Sequence, residues 1–479
     1  MKKKLLTAAM AAAMGAAGSA HAVHVNPDGL GQVLINPYYT VQGGFDTYVQ
    51  VVNTTNQAKA VKVRFLEGKN SQEVLDFNLY LSPQDHWSAT LSRSANGTVL
   101  TTQDTSCTAP AIPAGGVEFR NTLYATDSVN TLDRTREGYV EIIEMGVLNN
   151  MGLGAMWATN ATHNAGVPAN CAALRTAANP GGALNTPATG DVTLPTGGLY
   201  GYVNLINVNR GIETIVDAVA VDNFFDHVNP LLDIHFPPGD EQPSLNQVNT
   251  AGVFFDGGIP YSFVATTPGI DDLSAVIAHD AIMNDYVTVA GIAAKTDWVV
   301  TFPTKRFYVN PSVASGVAPA RTPFTNMWTR DTSRSCDTFS ANYYDREERS
   351  LTAGDDDFSP RPVGATSALC NEVNTIAMNA AGADSVFAAS NTRADLALDY
   401  DAGWLRIDFT STPATTTGVP GTLTDLLTPG VPVLGGVRGL PVIGFSAMSV
   451  ANGTTVVNGV NVQSNYMGHS MHKGVRSSY

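Results

Sequence analysis

Charged residues are scarce in this sequence, and basic residues are scarcer than acidic ones. Asp, Glu, Lys and Arg make up 14% of the 479 residues, and the formal net charge is −15. Phosphate backbones and anionic lipid heads repel a chain of this kind, so we expect neither nucleic acid nor a lipid surface as a partner. Polarity comes instead from Asn, Thr, Ser and Gly, which suit exposed sheets and ordered loops.

Long apolar runs are missing after the N-terminus, which predicts that the chain has no transmembrane helix. The first residues, MKKKLLTAAMAAAMGAAGSAHA, combine three lysines, a short apolar stretch and an A-x-A motif that ends at Ala22. This pattern is typical of a bacterial secretory signal peptide cleaved after Ala22, and the loss of three lysines makes the charge −18. We therefore expect a protein secreted by a Gram-negative cell to its exterior or surface, with the periplasm as the alternative.

Cysteine is rare, and no two cysteines have C-x-x-C spacing, which gives no support to thioredoxin chemistry, zinc ribbons or c-type haem. The four cysteines are Cys107, Cys171, Cys336 and Cys370. An even number in an exported chain predicts disulfides, and four cysteines allow three pairings. We favour Cys107–Cys171 and Cys336–Cys370, because each pair then lies within one half of the chain.

The motifs of common enzymes are also missing. The sequence contains no G-x-S-x-G elbow, no H-E-x-x-H helix and no Walker loop. Ser446 and Ser470 lie in the nearest serine contexts, which lack the final glycine. No residue is assigned a catalytic role, and we expect a protein that is not an enzyme.

Runs of alternating apolar and polar residues are abundant, as in YVQVVNTTNQAKAVKVRFLEGKN. They recur about every ten residues and are separated by Gly, Asn or Pro, and Asn452-Gly453 and Asn458-Gly459 are typical of hairpin turns. The pattern predicts a mostly β fold of two antiparallel β-sandwich domains, of immunoglobulin-like or jelly-roll type. One or two short helices and long loops complete the prediction, and GIDDLSAVIAHDAIMNDYV is the best helix candidate.

Composition and strand pattern divide the chain into four parts. We predict a signal peptide over residues 1–22 and a β-sandwich domain over residues 23–195, whose last part is a long Ala/Gly/Pro-rich loop. A second β-rich domain follows over residues 196–465, and residues 466–479 form a C-terminal tail.

Two clusters contain residues suited to metal ions. Asp355, Asp356 and Asp357 form an oxygen-rich loop of the kind that coordinates Ca²⁺, the cofactor that the sequence suggests. His469 and His472, with nearby methionines, offer ligands suited to copper. A solvated acidic loop and a polar tail are the ordinary interpretations of the same residues.

Several longer phrases resemble a group of uncharacterised exported proteobacterial cell-surface proteins. Examples are VKVRFLEGKNSQEVLDFNLYLSPQDHWSATL, SCDTFSANYYDREERS and DFSPRPVGATSALCNEVNTI. The resemblance extends over most of the chain to about Met448. It implies export and a shared β-rich fold, and it supplies no catalytic residue or mechanism.

The leading hypothesis is a structural protein, such as a subunit of a surface layer, filament or matrix, or an adhesin, that acts through β-sheet assembly. Its expected partners are copies of itself, other envelope or extracellular proteins, and glycans. One alternative is a secreted carbohydrate-active hydrolase that uses paired carboxylates from residues 226–240 or 345–357. A metal-binding surface protein is the other alternative.

Overall fold

The computed structural model is mostly β, with several antiparallel sheets and few helices, which confirms the fold class at this level. Among the residues it describes, no helix has the length and apolar character needed to cross a bilayer. The described residues are 22–150, 156–185, 191–225, 234–246, 252–256, 259–263, 269–310, 323–354, 358–359, 367–380, 384–409, 437 and 439–476. The predicted signal peptide lies outside them, except for Ala22.

The strands of the first part of the chain are β1 (His24–Val25), β2 (Val33–Thr40), β3 (Asp46–Asn53), β4 (Lys59–Glu67), β5 (Glu73–Leu81), β6 (His86–Ser94), β7 (Gly97–Thr101), β8 (Cys107–Ala109), β9 (Val117–Glu118), β10 (Glu137–Leu148), β11 (His163–Asn164), β12 (Val167–Pro168), β13 (Val192–Thr193), β14 (Leu199–Asn207), β15 (Ile212–Asp217) and β16 (Val219–Asp222).

The strands of the second part are β17 (Gly252–Asp256), β18 (Ile259–Phe263), β19 (Ala278–His279), β20 (Ala281–Val287), β21 (Lys295–Thr301), β22 (Asp337–Thr338), β23 (Ser340–Asp345), β24 (Ser350–Thr352), β25 (Phe358–Ser359), β26 (Ala368–Leu369), β27 (Val373–Met378), β28 (Arg393–Leu396), β29 (Ala402–Asp408), β30 (Leu440–Pro441), β31 (Ile443–Val457), β32 (Val460–Met471) and β33 (Lys473–Val475).

The helices are short. The α-helices are α1 (Trp157–Ala161), α2 (Cys171–Ala178), α3 (Ile270–Val276) and α4 (Arg306–Val309), and 3₁₀ turns span Thr122–Tyr124, Leu132–Arg136 and Ala290–Ile292. α3 begins where the sequence predicts a helix, but Ile282, expected on its apolar stripe, lies in β20. α1 and α2 fall within the segment predicted as a long loop.

The described strands form four main sheets. Sheet I has the order β1-β16-β2-β10-β4-β5-β8, with β13 on β10, and sheet II has the order β15-β14-β3-β6-β7-β9. Sheet III has the order β24-β23-β29-β20-β33, and sheet IV has the order β25-β28-β27-β21-β31-β32. All neighbouring strands in these sheets are antiparallel except the parallel pair β27–β28.

Two strands with similar sequence patterns differ in how much of each is buried. β3 alternates between buried and accessible residues, as predicted for a sheet with one wet face. β4 shows the same alternation in sequence, but all its residues are buried. The polar side chains on one of its faces pair with other buried groups, as when Arg64 Nη1 donates to Glu141 at 2.8 Å. Residues 234–246 cover this polar side of sheet I, and Lys62 Nζ donates to the Pro237 carbonyl at 2.9 Å.

Aromatic side chains connect the layers. The rings of Phe77 on β5 and Trp87 on β6 lie 5.6 Å apart and join sheets I and II. Between sheets III and IV, Trp298 Nε1 on β21 donates to the Asp285 carbonyl on β20 at 3.2 Å. Buried apolar residues of all four sheets form one continuous cluster. The immunoglobulin-like or jelly-roll assignment stays a prediction.

The strand pairing does not follow the boundary predicted between residues 195 and 196. β14 and β16 come after it, yet they pair with β3 and β2 of the first part. Residues 466–475, predicted as a tail, form the end of β32 and β33, because Met467 and Met471 pack against the core. The division into domains stays a prediction.

Both favoured cysteine pairs are at disulfide distance. The Sγ atoms of Cys107 and Cys171 are 1.97 Å apart, and those of Cys336 and Cys370 are 2.08 Å apart. The first pair joins β8 to the start of α2. It therefore ties the Ala/Gly/Pro-rich segment to sheet I, as the sequence indicated.

Candidate functional site

The most prominent surface feature is a long hairpin made by β31 and β32 at the end of sheet IV. The strands pair from Phe445–Met471 at the base to Val457–Val460 at the tip. The turn is Asn458-Gly459, whose φ angles of 51° and 80° are both in the left-handed region that this dipeptide tolerates. The prediction of a turn at Asn452-Gly453 is wrong. These residues lie inside β31, at the point where its pairing register with β32 shifts.

The hairpin tip carries exposed apolar side chains. Val460 is 63% exposed and Val456 is 64% exposed, and Val457, Val462 and Tyr466 are also accessible. Because side chains alternate along a strand, Val460, Val462 and Tyr466 share one face of β32. Met467 and Met471 lie on the opposite face and pack against the core. The outer face of the hairpin is therefore an apolar stripe in contact with water.

A cavity of about 360 Å³ lies at the base of this hairpin. Its walls are mainly aliphatic and aromatic and come from β1, β16, β17, α3, β20 and the hairpin base. They include Val25, Val219, Val253, Phe254, Val276, Ile277, Ile282, Val442 and Met471. Gly474 on β33 allows the His279 ring to lie against the backbone, since a Cβ there would be 1.8 Å from His279 Cδ2.

The polar groups of the cavity are engaged in structural contacts. Burial lowers the pKa of His279 to about 3, and burial also lowers the pKa of His472 to about 3, so both rings are neutral. The Arg476 guanidinium donates to the Ala278 carbonyl at 2.8 Å and lies 4.7 Å from the centre of the Phe254 ring. None of the described residues that line the cavity is a carboxylate. The cavity is therefore suited to apolar groups.

His469 and His472 have separate hydrogen-bond partners within the fold, and the copper site stays a prediction. His469 Nδ1 is 2.9 Å from Thr214 Oγ1, and its ring packs edge-on against Phe445. His472 Nε2 donates to the Val299 carbonyl at 2.9 Å, which leaves Nδ1 to accept from Asn284 Nδ2 at 3.2 Å. The two rings therefore have different neighbours, and both nitrogens of His472 are used in hydrogen bonds within the fold.

The predicted acidic loop lies partly outside the described residues. Asp355, Asp356 and Asp357 lie outside the described residues, so the Ca²⁺ site stays a prediction. Upstream, Asp345 accepts hydrogen bonds from the backbone N–H groups of Glu347 and Arg349 at 2.9 and 2.8 Å, and from Arg349 Nε at 2.5 Å. Burial raises the pKa of Asp345, but these hydrogen bonds outweigh burial and lower it. This carboxylate therefore holds the β23–β24 turn.

The other region with carboxylates suited to a hydrolase, residues 226–240, also lies partly outside the described residues. Residues 226–233 lie outside the described part, while Asp240 accepts from the Gln242 N–H at 2.9 Å in a local turn. His235 is buried between Tyr80, 3.1 Å from its hydroxyl, and Asn185, 2.9 Å from its amide oxygen. Among the described residues, no group of three or more His, Cys, Asp or Glu side chains is arranged to hold a metal ion.

A buried ionic network lies within the first part of the chain, and the sequence pattern did not indicate it. Arg134 donates to both Glu67 oxygens, through Nε at 2.5 Å and through Nη2 at 2.8 Å, and to Asp127 at 2.9 Å. Nearby, Glu137 accepts from the backbone N–H groups of residues 390 and 391 at 3.0 and 2.9 Å. The hydrogen bonds to Glu137 therefore join the two parts of the chain close to this network.

Comparison with family models, with curated proteins and with solved structures finds no match to this chain.

Proposed function

We propose that this chain is a non-catalytic, secreted structural protein that acts at the cell surface through β-sheet assembly. The hairpin of β31 and β32 is the observation that carries the proposal. Its tip presents Val457, Val460 and Val462 to water around a turn, where polar side chains are usual. Each valine gains about 1.5–3 kcal/mol on full burial, so the exposed cluster favours a partner.

The position of the hairpin supports assembly through strands. In the described part of the chain, β32 is the last strand of sheet IV, so no further strand lies beyond it in that sheet. Edge strands join other chains by adding a strand to the sheet or by packing on a neighbouring sheet. Export, as the N-terminal pattern predicts, and two disulfides suit an extracellular component.

Cell fractionation with negative-stain electron microscopy tests the proposal. Cells that express the full chain, with its signal peptide, should yield sedimentable surface material in which an antibody to this chain labels layers or fibres. Recovery of the chain only as single particles in the soluble periplasmic fraction would contradict it. A Val460→Asp chain should be absent from the sedimentable surface material. A Val208→Asp chain, changed at a position that is 74% exposed outside the hairpin, should still be present in it.

A further inference from the structure

We infer that the partner of the hairpin is a second copy of this chain, joined head to tail. The apolar tip of one copy enters the apolar cavity at the hairpin base of the next. This inference rests on the proposed assembly function and specifies its contact. Three observations carry it: where the two surfaces lie, how they are charged, and how large the cavity is.

The two surfaces lie at opposite ends of the same strand pair. Gly444 and Met471 line the cavity, while Val457 and Val460 pair at the tip. At about 3.3 Å per residue, the strand length between Gly444 and Val457 separates cavity and tip by roughly 40 Å. The tip of one hairpin therefore cannot reach the cavity at its own base, and the contact requires another copy.

Charge favours these two surfaces for contact between copies of an acidic chain. The sequence from Gly439 to His472 contains no Asp, Glu, Lys or Arg, although the whole chain carries a net charge of −15. Among the described residues that line the cavity there is no carboxylate, and Arg476 is the one charged group. Like charges repel where most other surfaces of two copies meet, and this repulsion is absent when tip and cavity meet.

The size of the cavity suits a hairpin turn. A volume of about 360 Å³ is near the lower end of the range for small-ligand cavities, roughly 300–1,000 Å³. It holds a few aliphatic side chains, such as Val457 and Val460, and excludes a folded domain. The walls from Val253, Ile277 and Met471 are of the same aliphatic character as the tip.

A contact between two different surfaces has a defined consequence for the assembly. Each copy offers one tip and one cavity, so a copy that joins through one of these surfaces still presents the other to the next copy. Such a heterologous contact continues into a ring or an open filament, whereas a tip-to-tip contact would stop at a dimer. The inference therefore predicts polymers of one chain.

Mixing two blocked variants of the mature chain tests the inference. Val460→Asp places a charge on the tip, and Val253→Trp fills the cavity. Burial of the carboxylate introduced at position 460 is unfavourable, and the introduced tryptophan occupies the space that the tip would enter. Each variant alone should therefore associate at least ~10-fold more weakly than wild type. A mixture retains one intact tip and one intact cavity, and it should form 1:1 dimers and no larger species. Val208→Asp should polymerise like wild type.

Cysteine cross-linking gives a second measurement that does not depend on the blocked variants. No described cysteine is free, so a cross-link formed under mild oxidation can be assigned to the introduced thiols. Under mild oxidation, Val457→Cys chains should cross-link to Val253→Cys chains, and neither should cross-link with itself. Circular dichroism and thermal melting verify that every variant is folded.

The outcomes separate the two proposals. If wild type polymerises but the mixture forms no dimer and no tip-to-cavity cross-link, the head-to-tail contact is wrong and the assembly function stands. Cross-linking of Val457→Cys chains to one another would replace the inferred contact with a tip-to-tip contact. If wild type stays a single chain under all conditions, both proposals fail.

Discussion

Glu372 at the junction of the two parts should make stability depend on pH. Its side chain is 1% exposed, and Ser71 Oγ donates to one of its carboxylate oxygens. The other oxygen, Oε1, has no hydrogen-bond partner among the described groups. Burial raises the pKa of Glu372 to about 8, although Ser71, Arg306 and Lys305 act in the opposite direction. The folded chain therefore holds a proton here at neutral pH.

The magnitude follows from the difference between the folded and unfolded states. An unfolded glutamate releases its proton near its ordinary pKa of 4.5, whereas the folded one keeps it up to about 8. The contribution of Glu372 to stability is fully present below 4.5 and is lost as the pH rises to about 8. At about 1.4 kcal/mol per pKa unit, the loss is at most about 5 kcal/mol.

Glu372→Gln measures this effect, because glutamine keeps the shape and does not ionise. Urea denaturation of the disulfide-intact chain, followed by tryptophan fluorescence, gives the free energy of unfolding between about pH 5 and about pH 9. The variant should gain stability relative to wild type as the pH rises. Groups such as Asp297, whose pKa burial raises to about 6, titrate in both chains and cancel in the difference.

Glu347→Gln is the matched control, because that side chain is 71% exposed. Its stability curve should run parallel to the wild-type curve. Parallel curves for wild type and Glu372→Gln over the whole pH range would refute the interpretation of Glu372 as a buried, protonated carboxyl group.

Three further predictions concern stability and use the same denaturation assay. Arg134→Met should lower the free energy of unfolding by about 3–5 kcal/mol, because it leaves buried carboxylates without a counter-charge. The same change at the exposed Arg349 should lower it by less than about 1 kcal/mol. Equal losses for the two variants would contradict a buried ionic network at Arg134. Replacing Cys107 and Cys171 together by serine should cost about 4 kcal/mol on the chain-entropy estimate for a 64-residue separation, and an unchanged midpoint would argue against that pair. His472→Ala should cost at least about 1–3 kcal/mol and leave Cu²⁺ binding by the chain unchanged in calorimetry; loss of copper binding would support the predicted copper site.

Local patterns predicted the parts of the fold that depend on neighbours in sequence. The period-two alternation of β3 and the Asn458-Gly459 turn are both present, because each is set within a few residues. The start of α3 follows from its acidic first turn for the same reason. The favoured cysteine pairing also followed from the simple rule that pairs form within each half.

Long-range pairing could not be predicted in this way. Polar residues of β4 and β10 resemble a wet face, but Arg64 and Glu141 come together from 77 positions apart and are both buried. His472 resembled a free ligand in a polar tail, because nothing local shows that its ring packs on Trp298. The exposed tip did leave a signal, namely several valines around a turn inside an uncharged stretch.

Sedimentation velocity of the mature chain over a range of protein concentrations tests the central claim most directly. Wild type and Val208→Asp should both show species larger than one chain that increase with concentration, while Val460→Asp should sediment mainly as a single chain. If wild type sediments as one species with the mass of a single chain at every concentration, or if Val460→Asp associates as wild type does, assembly through the hairpin is contradicted.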